Sequence, residues 1–276
     1  MPEIANVCLK LANKAENVLV VRQALGGLAE MLGLDTIEAN DIATAVTEAC
    51  NNVVLHAYGG EEGPLEVEIC ALSQQVVVTV RDHGVGIDPQ VLSMSGESGI
   101  GLPVMHALAQ RVEFKDPPEG GAEVRMEFAA PKARDLEPLA EEWEPPVATR
   151  ALLTGAVEMS LAPSVVARSV LPRVLSALAA RAYFSTDRIS DVQLVADALV
   201  DSARDSIVGS HLGVGVMLAP RDIELRVGPL QEGRAQLILD SAVEDHGSLL
   251  GRLTDDQQVA SADTAEVLAL RILERR

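Results

Sequence analysis

One internal regularity constrains this chain more than anything else in it. Residues 7–41 laid without gaps onto residues 157–191, an offset of 150 (191 − 41), bring eight identical residues together. Val7, Leu11, Ala12, Val20, Leu25, Leu28, Ala29 and Asp41 fall on Val157, Leu161, Ala162, Val170, Leu175, Leu178, Ala179 and Asp191. Between the two stretches lies "AAPKARDLEPLAEEWEPPVATR", residues 129–150, with four prolines, four glutamates and no sustained periodicity. Such a segment reads as an exposed linker. The expectation is two domains of one kind, 1–130 and 151–276, joined by a linker over 131–150. Trp143, the one tryptophan, lies in that linker and is expected to dock on a flanking domain.

In the first half, Val18, Val21, Leu25, Leu28 and Leu32 recur at helical spacing, and Ile42, Ala45, Ala49, Val53 and Ala57 line a second helix. Gly26 and Gly27 inside the first cost about 1 kcal/mol each relative to Ala, which packing has to offset. Alternation in "LEVEIC" (65–70), "VVVTVR" (76–81) and "AEVRMEF" (122–128) predicts half-buried strands. A short helix, "GIGLPVMHALAQR", falls between the last two. This order implies an α+β two-layer sandwich, helices on one face of a largely antiparallel sheet. The second half repeats the opening: helices over 164–182 and 189–207, then strands near 214–219, 222–227 and 235–240. A closing helix is expected in "TAEVLALRILERR".

The net charge of −19 argues against direct binding to nucleic acid, whose phosphates it repels. Aromatics make up only 2%, so Val, Leu, Ile and Ala must build the core. Three cysteines without metal-like spacing read as reduced thiols. The opening residues lack the pattern of a signal peptide and no apolar run approaches the ~20 residues of a membrane span. A cytoplasmic protein with no membrane role is expected.

Three stretches carry the residue types of a phosphate-handling site. On the second helix Thr44, Glu48 and Asn52 share one face at i, i+4, i+8. Taken alone they fit a solvated surface pair. They also fit a site for a hard cation, since Mg²⁺ takes oxygen ligands and keeps several waters, with Glu48 free to deprotonate a hydroxyl. In "VRDHGVGID" a strand ends at Asp82, and Gly84 and Gly86 permit tight turns beside a ligand. A buried Asp there can accept from an exocyclic amine, although Asp before Gly-x-Gly also occurs in plain turns. In "ESGIGLPVMHAL" Gly99 and Gly101 precede a helix whose N-terminus favours phosphate. No Lys follows, so this is not the common phosphate loop.

In this order and spacing, "TEACNNVVLHAY", "VRDHGVGI" and "SGIGLPVM" resemble the Asn box and the two glycine boxes of the GHKL ATPases. That superfamily includes gyrase, histidine kinases and the MutL repair proteins. Within it the match is most similar to the anti-sigma-factor serine kinases of bacterial sporulation and general stress, over residues 7–130. The resemblance implies the Bergerat-type ATP-binding sandwich, ATP with Mg²⁺, and two protein partners: a sigma factor that is held, and a small antagonist phosphorylated on serine. It implies Glu48 as catalytic base, Asn52 as Mg²⁺ ligand, Asp82 at the adenine amine, and Gly84, Gly86, Gly99 and Gly101 shaping the pocket. Arg22, 26 residues before Glu48, matches an arginine used at the partner surface.

Two departures stand out. The segment between Gly86 and Gly99 has 12 residues, and no Lys or Arg occurs between Arg81 and Arg111. Phosphoryl transfer usually draws on Mg²⁺ plus such a cation, which keeps a non-catalytic, nucleotide-dependent binding protein as the alternative. In the second half Glu48, Asn51 and Asn52 meet Ala198, Asp201 and Ser202, and "IELRVGPL" lacks Asp-x-Gly. That copy is expected not to bind ATP, and to stand in for the second protomer of a homodimer.

Overall fold

Helix α1 (Ala15–Leu32) buries Val18, Val21, Leu25, Leu28 and Leu32 and continues unbroken through the glycine pair, so its apolar stripe outweighs their helix penalty. It stops at Gly33, whose left-handed φ of 74° lets its N–H reach Glu30 O at 3.1 Å while Leu34 N–H reaches Ala29 O at 3.0 Å. Helix α2 (Thr36–Asn52) starts in a capping box: Asp35 Oδ1 accepts from the amides of Ile37 and Glu38, and the Glu38 carboxylate accepts from Asp35 N–H. Ile42, Ala45 and Ala49 are buried along it, and the helix widens into a single π turn over Val53–Ala57, where Val53 and Ala57 are buried too.

This computed structural model describes residues 4–86, 101–118, 120–131, 133, 136, 145–162, 164–240, 248–262 and 264–275. The chain divides into two compact units, Met1–Pro138 and Leu139–Arg276. In the first, strands β1 (Val7–Ala12), β2 (Pro64–Leu72), β3 (Gln75–Asp82), β4 (Arg111–Lys115) and β5 (Glu123–Ala129) form an antiparallel sheet in the order β1-β2-β3-β5-β4. Helix α3 (Gly101–Leu108) leads into β4. The core combines Leu9, Leu11, Leu65, Val67, Ile69, Val78, Val80, Met126 and Phe128 with the apolar stripes of α1 and α2. This is an α+β two-layer arrangement. Alternate sheet positions carry ion pairs instead, Arg81 with Glu68 and Glu123, and Lys10 with Glu66. These contribute little stability at such exposure.

The second unit holds α4 (Val147–Leu152), β6 (Val157–Leu161), α5 (Ser164–Arg181), α6 (Thr186–Ala203), β7 (Leu212–Ala219) and β8 (Asp222–Gln231). It ends with α7 (Arg234–Asp240), α8 (Leu249–Leu253), β9 (Asp256–Ala262) and β10 (Ala265–Leu273). Its sheet is also antiparallel, in the order β6-β7-β8-β10-β9.

Three expectations are corrected here. Residues 235–240 are helix, not strand: Ala235, Ile238 and Leu239 are buried at i, i+3, i+4 spacing. The closing segment is strand β10, not helix. A register shift between Glu266 and Leu268 moves the buried set from Ala265 and Val267 to Leu268, Leu270 and Ile272. That bulge leaves Ala265, Leu268 and Ile272 at spacings that imitate a helix. Finally, the linker read over 131–150 is not exposed throughout. Residues 147–150 are helical and Thr149 is fully buried. The backbone after α4 lies so close to β7 that a Cβ at Gly215 would sit 1.9 Å from Leu153 O. Strands β1 and β4 are further elements that the alternation analysis did not locate. Trp143 lies outside the described residues.

Among the described residues no cysteine forms a disulfide, and burial pushes the Cys50 thiol up to about 12, where it is chemically inert. Among the described residues no helix is long and apolar enough to cross a membrane.

Candidate functional site

The α2 stripe that buries Ile42, Ala45 and Ala49 leaves Glu48 and Asn52 half-buried on a flank of the helix. That flank meets the first residue of α3. A Cβ on Gly101 would stand 3.0 Å from Glu48 Oε2 and 3.8 Å from Asn52 Oδ1. The first residue of α3 thus lies in contact range of the carboxylate and the amide, and a side chain there would press first on the Glu48 carboxylate. Neither side chain makes a hydrogen bond or ion pair among the described residues, so both oxygens keep free lone pairs. Two oxygen donors one helical turn apart, with no cation already paired to them, fit Mg²⁺ better than a softer metal.

The second cluster forms where β3 ends. Asp82 is buried, and its N–H bonds Ala122 O at 3.0 Å while its Oδ1 accepts from Gly84 N–H at 2.8 Å. Burial raises the pKa of its carboxyl above the ordinary 3.8, while the Gly84 and Ala122 amides and His83 pull the other way. A Cβ on Gly84 would lie 2.0 Å from Ala57 O, the same carbonyl that accepts from Val85 N–H at 2.9 Å. Gly86 has φ +82°, and its Cβ position is 3.4 Å from Gly121 O and 3.5 Å from Asp116 Oδ1. Only a residue without a side chain takes this path at low cost.

Glu48, Asn52 and Gly101 thus form one group and Asp82, Gly84 and Gly86 another. The two are linked through the end of α2 at Ala57. Gly99 and the whole segment 87–98 lie outside the described residues. Arg22 is exposed and donates to Thr47 Oγ1 at 3.1 Å, next in sequence to Glu48; among the described residues no bond ties it to Glu48 itself.

Two residues of this region escaped the sequence reading. Gly121, φ +83°, would place a Cβ 2.0 Å from Asp82 O, so the β4–β5 connection can close over the end of β3 only with glycine there. Its signal was the pair Gly120-Gly121 before an alternating run. Tyr58 hydrogen-bonds both flanks of the second cluster, and nothing in its own sequence context marks it.

Asp82 gives a pH prediction. Its folded-state pKa is raised above 3.8, so the folded protein binds the proton more tightly than the unfolded chain. Stability then falls as pH rises through the window between the two values, and the full penalty persists at neutral pH. Asp82→Asn is expected to raise the apo unfolding temperature at pH 7, with the gain shrinking as pH falls through that window. Thermal scans between pH 4 and 7 check this, and a gain that does not change with pH would show that Asp82 burial carries no proton-linked penalty.

Comparison with known proteins places the sequence of the first unit in a family. Residues 11–128 match the model of the histidine kinase-like ATPase domain. Serine-protein kinase RsbW of Bacillus cereus (strain AH820) is 31% identical over 107 residues, covering 38% of this chain and 67% of the relative. RsbW of Bacillus mycoides (strain KBAB4) is 30% identical over the same length, with the same coverage. Among solved structures, the RsbU and RsbW domains of Rv1364c from Mycobacterium tuberculosis align with 48% of this chain and 34% of that one, at 22% identity and a TM-score of 0.35. Through its first unit, the chain belongs to the GHKL (histidine kinase-like) ATPase family and is of the RsbW serine-protein-kinase type.

Proposed function

We propose that the chain is an ATP-binding anti-sigma factor with serine/threonine kinase activity toward a small antagonist protein, acting by partner switching. The observation that carries this reading is the approach of Gly101 to Glu48 and Asn52, which gathers a free carboxylate, a free amide oxygen and a helix N-terminus at one place. Asp82 accepts from the adenine amine, and Gly84, Gly86 and Gly101 shape the wall. Asn52 would hold Mg²⁺, which would supply charge neutralisation to the phosphates. Glu48 takes the proton of the antagonist serine as its oxygen bonds the γ-phosphorus and the bond to the β-phosphate oxygen breaks. Arg22, exposed on α1, belongs to the surface that meets the sigma factor or the antagonist.

The second unit we read as a degenerate copy. Three features sit at the same offset of 150 in both units. The α2 and α6 caps are Asp35 and Ser185, the left-handed residues are Gly33 (φ 74°) and Tyr183 (φ 63°), and Leu34 N–Ala29 O has its counterpart in Phe184 N–Ala179 O. The strand orders also correspond. In the copy Ala198 and Ser202 replace the carboxylate and amide, and Asp201 is ion-paired with Arg168. It binds no nucleotide and stands in for the second protomer of a homodimer.

A calorimetric titration with ATP and Mg²⁺, run beside light scattering, tests this. One site per chain in a monomeric particle is expected. No binding would make the boxes relics on a scaffold, and two sites would refute the degenerate copy. The absence of Lys and Arg from residues 82–110 favours a second reading, a nucleotide-dependent binding protein that transfers no phosphate. A wild-type chain that binds ATP yet leaves every partner serine unmodified would establish it.

A further inference from the structure

The turn that carries Asp82 is pinned amide by amide. Gly84 N–H is held by Asp82 Oδ1, Val85 N–H by Ala57 O at 2.9 Å, and His83 N–H by the Tyr58 hydroxyl at 2.8 Å. Two of the three acceptors belong to consecutive residues, Ala57 and Tyr58, that close the wide turn at the end of α2. Ala57 is the last residue of that turn, so its carbonyl has no partner in the helical ladder and faces Val85 instead. The Tyr58 hydroxyl also donates to Pro64 O at 2.5 Å, at the start of β2. Its ring is fixed by Gly63, where a Cβ would fall 2.2 Å from Tyr58 Cε1. One phenol therefore ties the helix that bears Glu48 and Asn52, the first residue of β2 and the strand end that bears Asp82.

We propose that Tyr58 is a positioning residue of the nucleotide site: its hydroxyl clasps the Asp82–Gly86 turn to the end of α2, so that Asp82 keeps one fixed spacing from Glu48 and Asn52. This rests on the nucleotide reading above. Tyr58 touches neither Glu48 nor Asn52 and acts through the turn. Burial raises the pKa of the phenol above 10, and the charges of Asp82 and Glu66 add to that against the opposing His83 amide. The hydroxyl thus stays protonated and remains a donor to Pro64 O. Without it, the His83 amide loses its acceptor and the turn is held only at Gly84 and Val85.

Tyr58→Phe keeps the ring against Gly63 and removes only the hydroxyl. In the full chain without nucleotide, hydrogen exchange at residues 83–85 is expected to accelerate about tenfold, with β1 protection unchanged. Affinity for ATP with Mg²⁺ is expected to fall about five- to tenfold, the scale of one or two lost hydrogen bonds, at temperatures where both proteins are fully folded. Tyr58→Ala, which also strips the ring, should weaken binding further and lower the unfolding temperature. Unchanged exchange at 83–85 in Tyr58→Phe overturns the clasp. Faster exchange with unchanged affinity overturns its role in positioning. If the wild type itself fails to bind ATP while exchange accelerates, the nucleotide reading falls, and the positioning role with it, and only the mechanical clasp stands.

Discussion

Glu48→Ala is expected to reduce phosphate transfer to a serine-bearing antagonist by about 10²- to 10⁴-fold, the range of a lost general base. ATP affinity should change less than about threefold. The asymmetry follows from where the carboxylate stands. It projects from near the C-terminal end of α2, a helix held by a capping box at its start and a buried Ala/Val stripe along its length, so removing it does not loosen the helix. Its oxygens engage no donor among the described residues, and its Oε2 abuts the α3 backbone at Gly101. On the proposed reading this carboxylate is the base, and nothing among the described residues ties it up in a structural bond. Glu48→Gln should match the Ala variant in turnover, because it keeps the shape and loses the basicity. Mass spectrometry of the antagonist after incubation with ATP reads the result. Transfer that survives in both variants would assign the base elsewhere. No transfer by the wild type would favour the non-catalytic switch.

How much of this was legible in the sequence depended on the range of the interactions. The pairing of Glu48 with Asn52 is local, four residues apart on one helix, and the stripe beside it has a clear 3.6-residue period. The glycines at 84 and 101 could be singled out by their motifs. What each one makes room for, a helix-end carbonyl and a carboxylate, emerges only from folding. Tyr58 was invisible for the same reason: its donor His83 is 25 residues away, and no periodicity registers a single hydroxyl. Gly121 faces Asp82 across the β3–β5 pairing, again a contact between distant residues. In the second unit, β10 was misread because one bulge changed the phase of its alternation. In the helices the caps and left-handed turns of the two units stand 150 residues apart.

The second unit holds a buried arginine clasp, and removing it is expected to cost about 3–5 kcal/mol. Arg188, in the first turn of α6, is 3% exposed. Its position corresponds to Glu38 (188 − 150), which in the first unit closes the capping box. In the second unit Nε donates to Leu273 O at 2.9 Å and Nη1 to Leu253 O at 2.9 Å and Asp191 Oδ2 at 3.0 Å, while Nη2 donates to Asp255 Oδ2. The same Asp255 oxygen accepts from Leu273 N–H at 2.8 Å. One guanidinium thus satisfies the last carbonyl of α8 and the last of β10, and ties both to α6. Arg188→Met strips two backbone carbonyls of their side-chain donor and leaves Asp255 with only Leu273 N–H and Arg275, 3.7 Å away, and each acceptor that loses its partner costs desolvation in proportion to its burial. Asp255 is a quarter exposed and recovers some water, which places the effect toward the lower end. Urea unfolding of the full chain measures it, with hydrogen exchange over residues 248–275 expected to show the loss of protection locally. The double variant Arg188→Met, Asp255→Asn should regain part of the stability, because it removes the stranded charge. If the single variant costs less than about 1 kcal/mol, α8 and β10 are held to α6 by apolar packing alone.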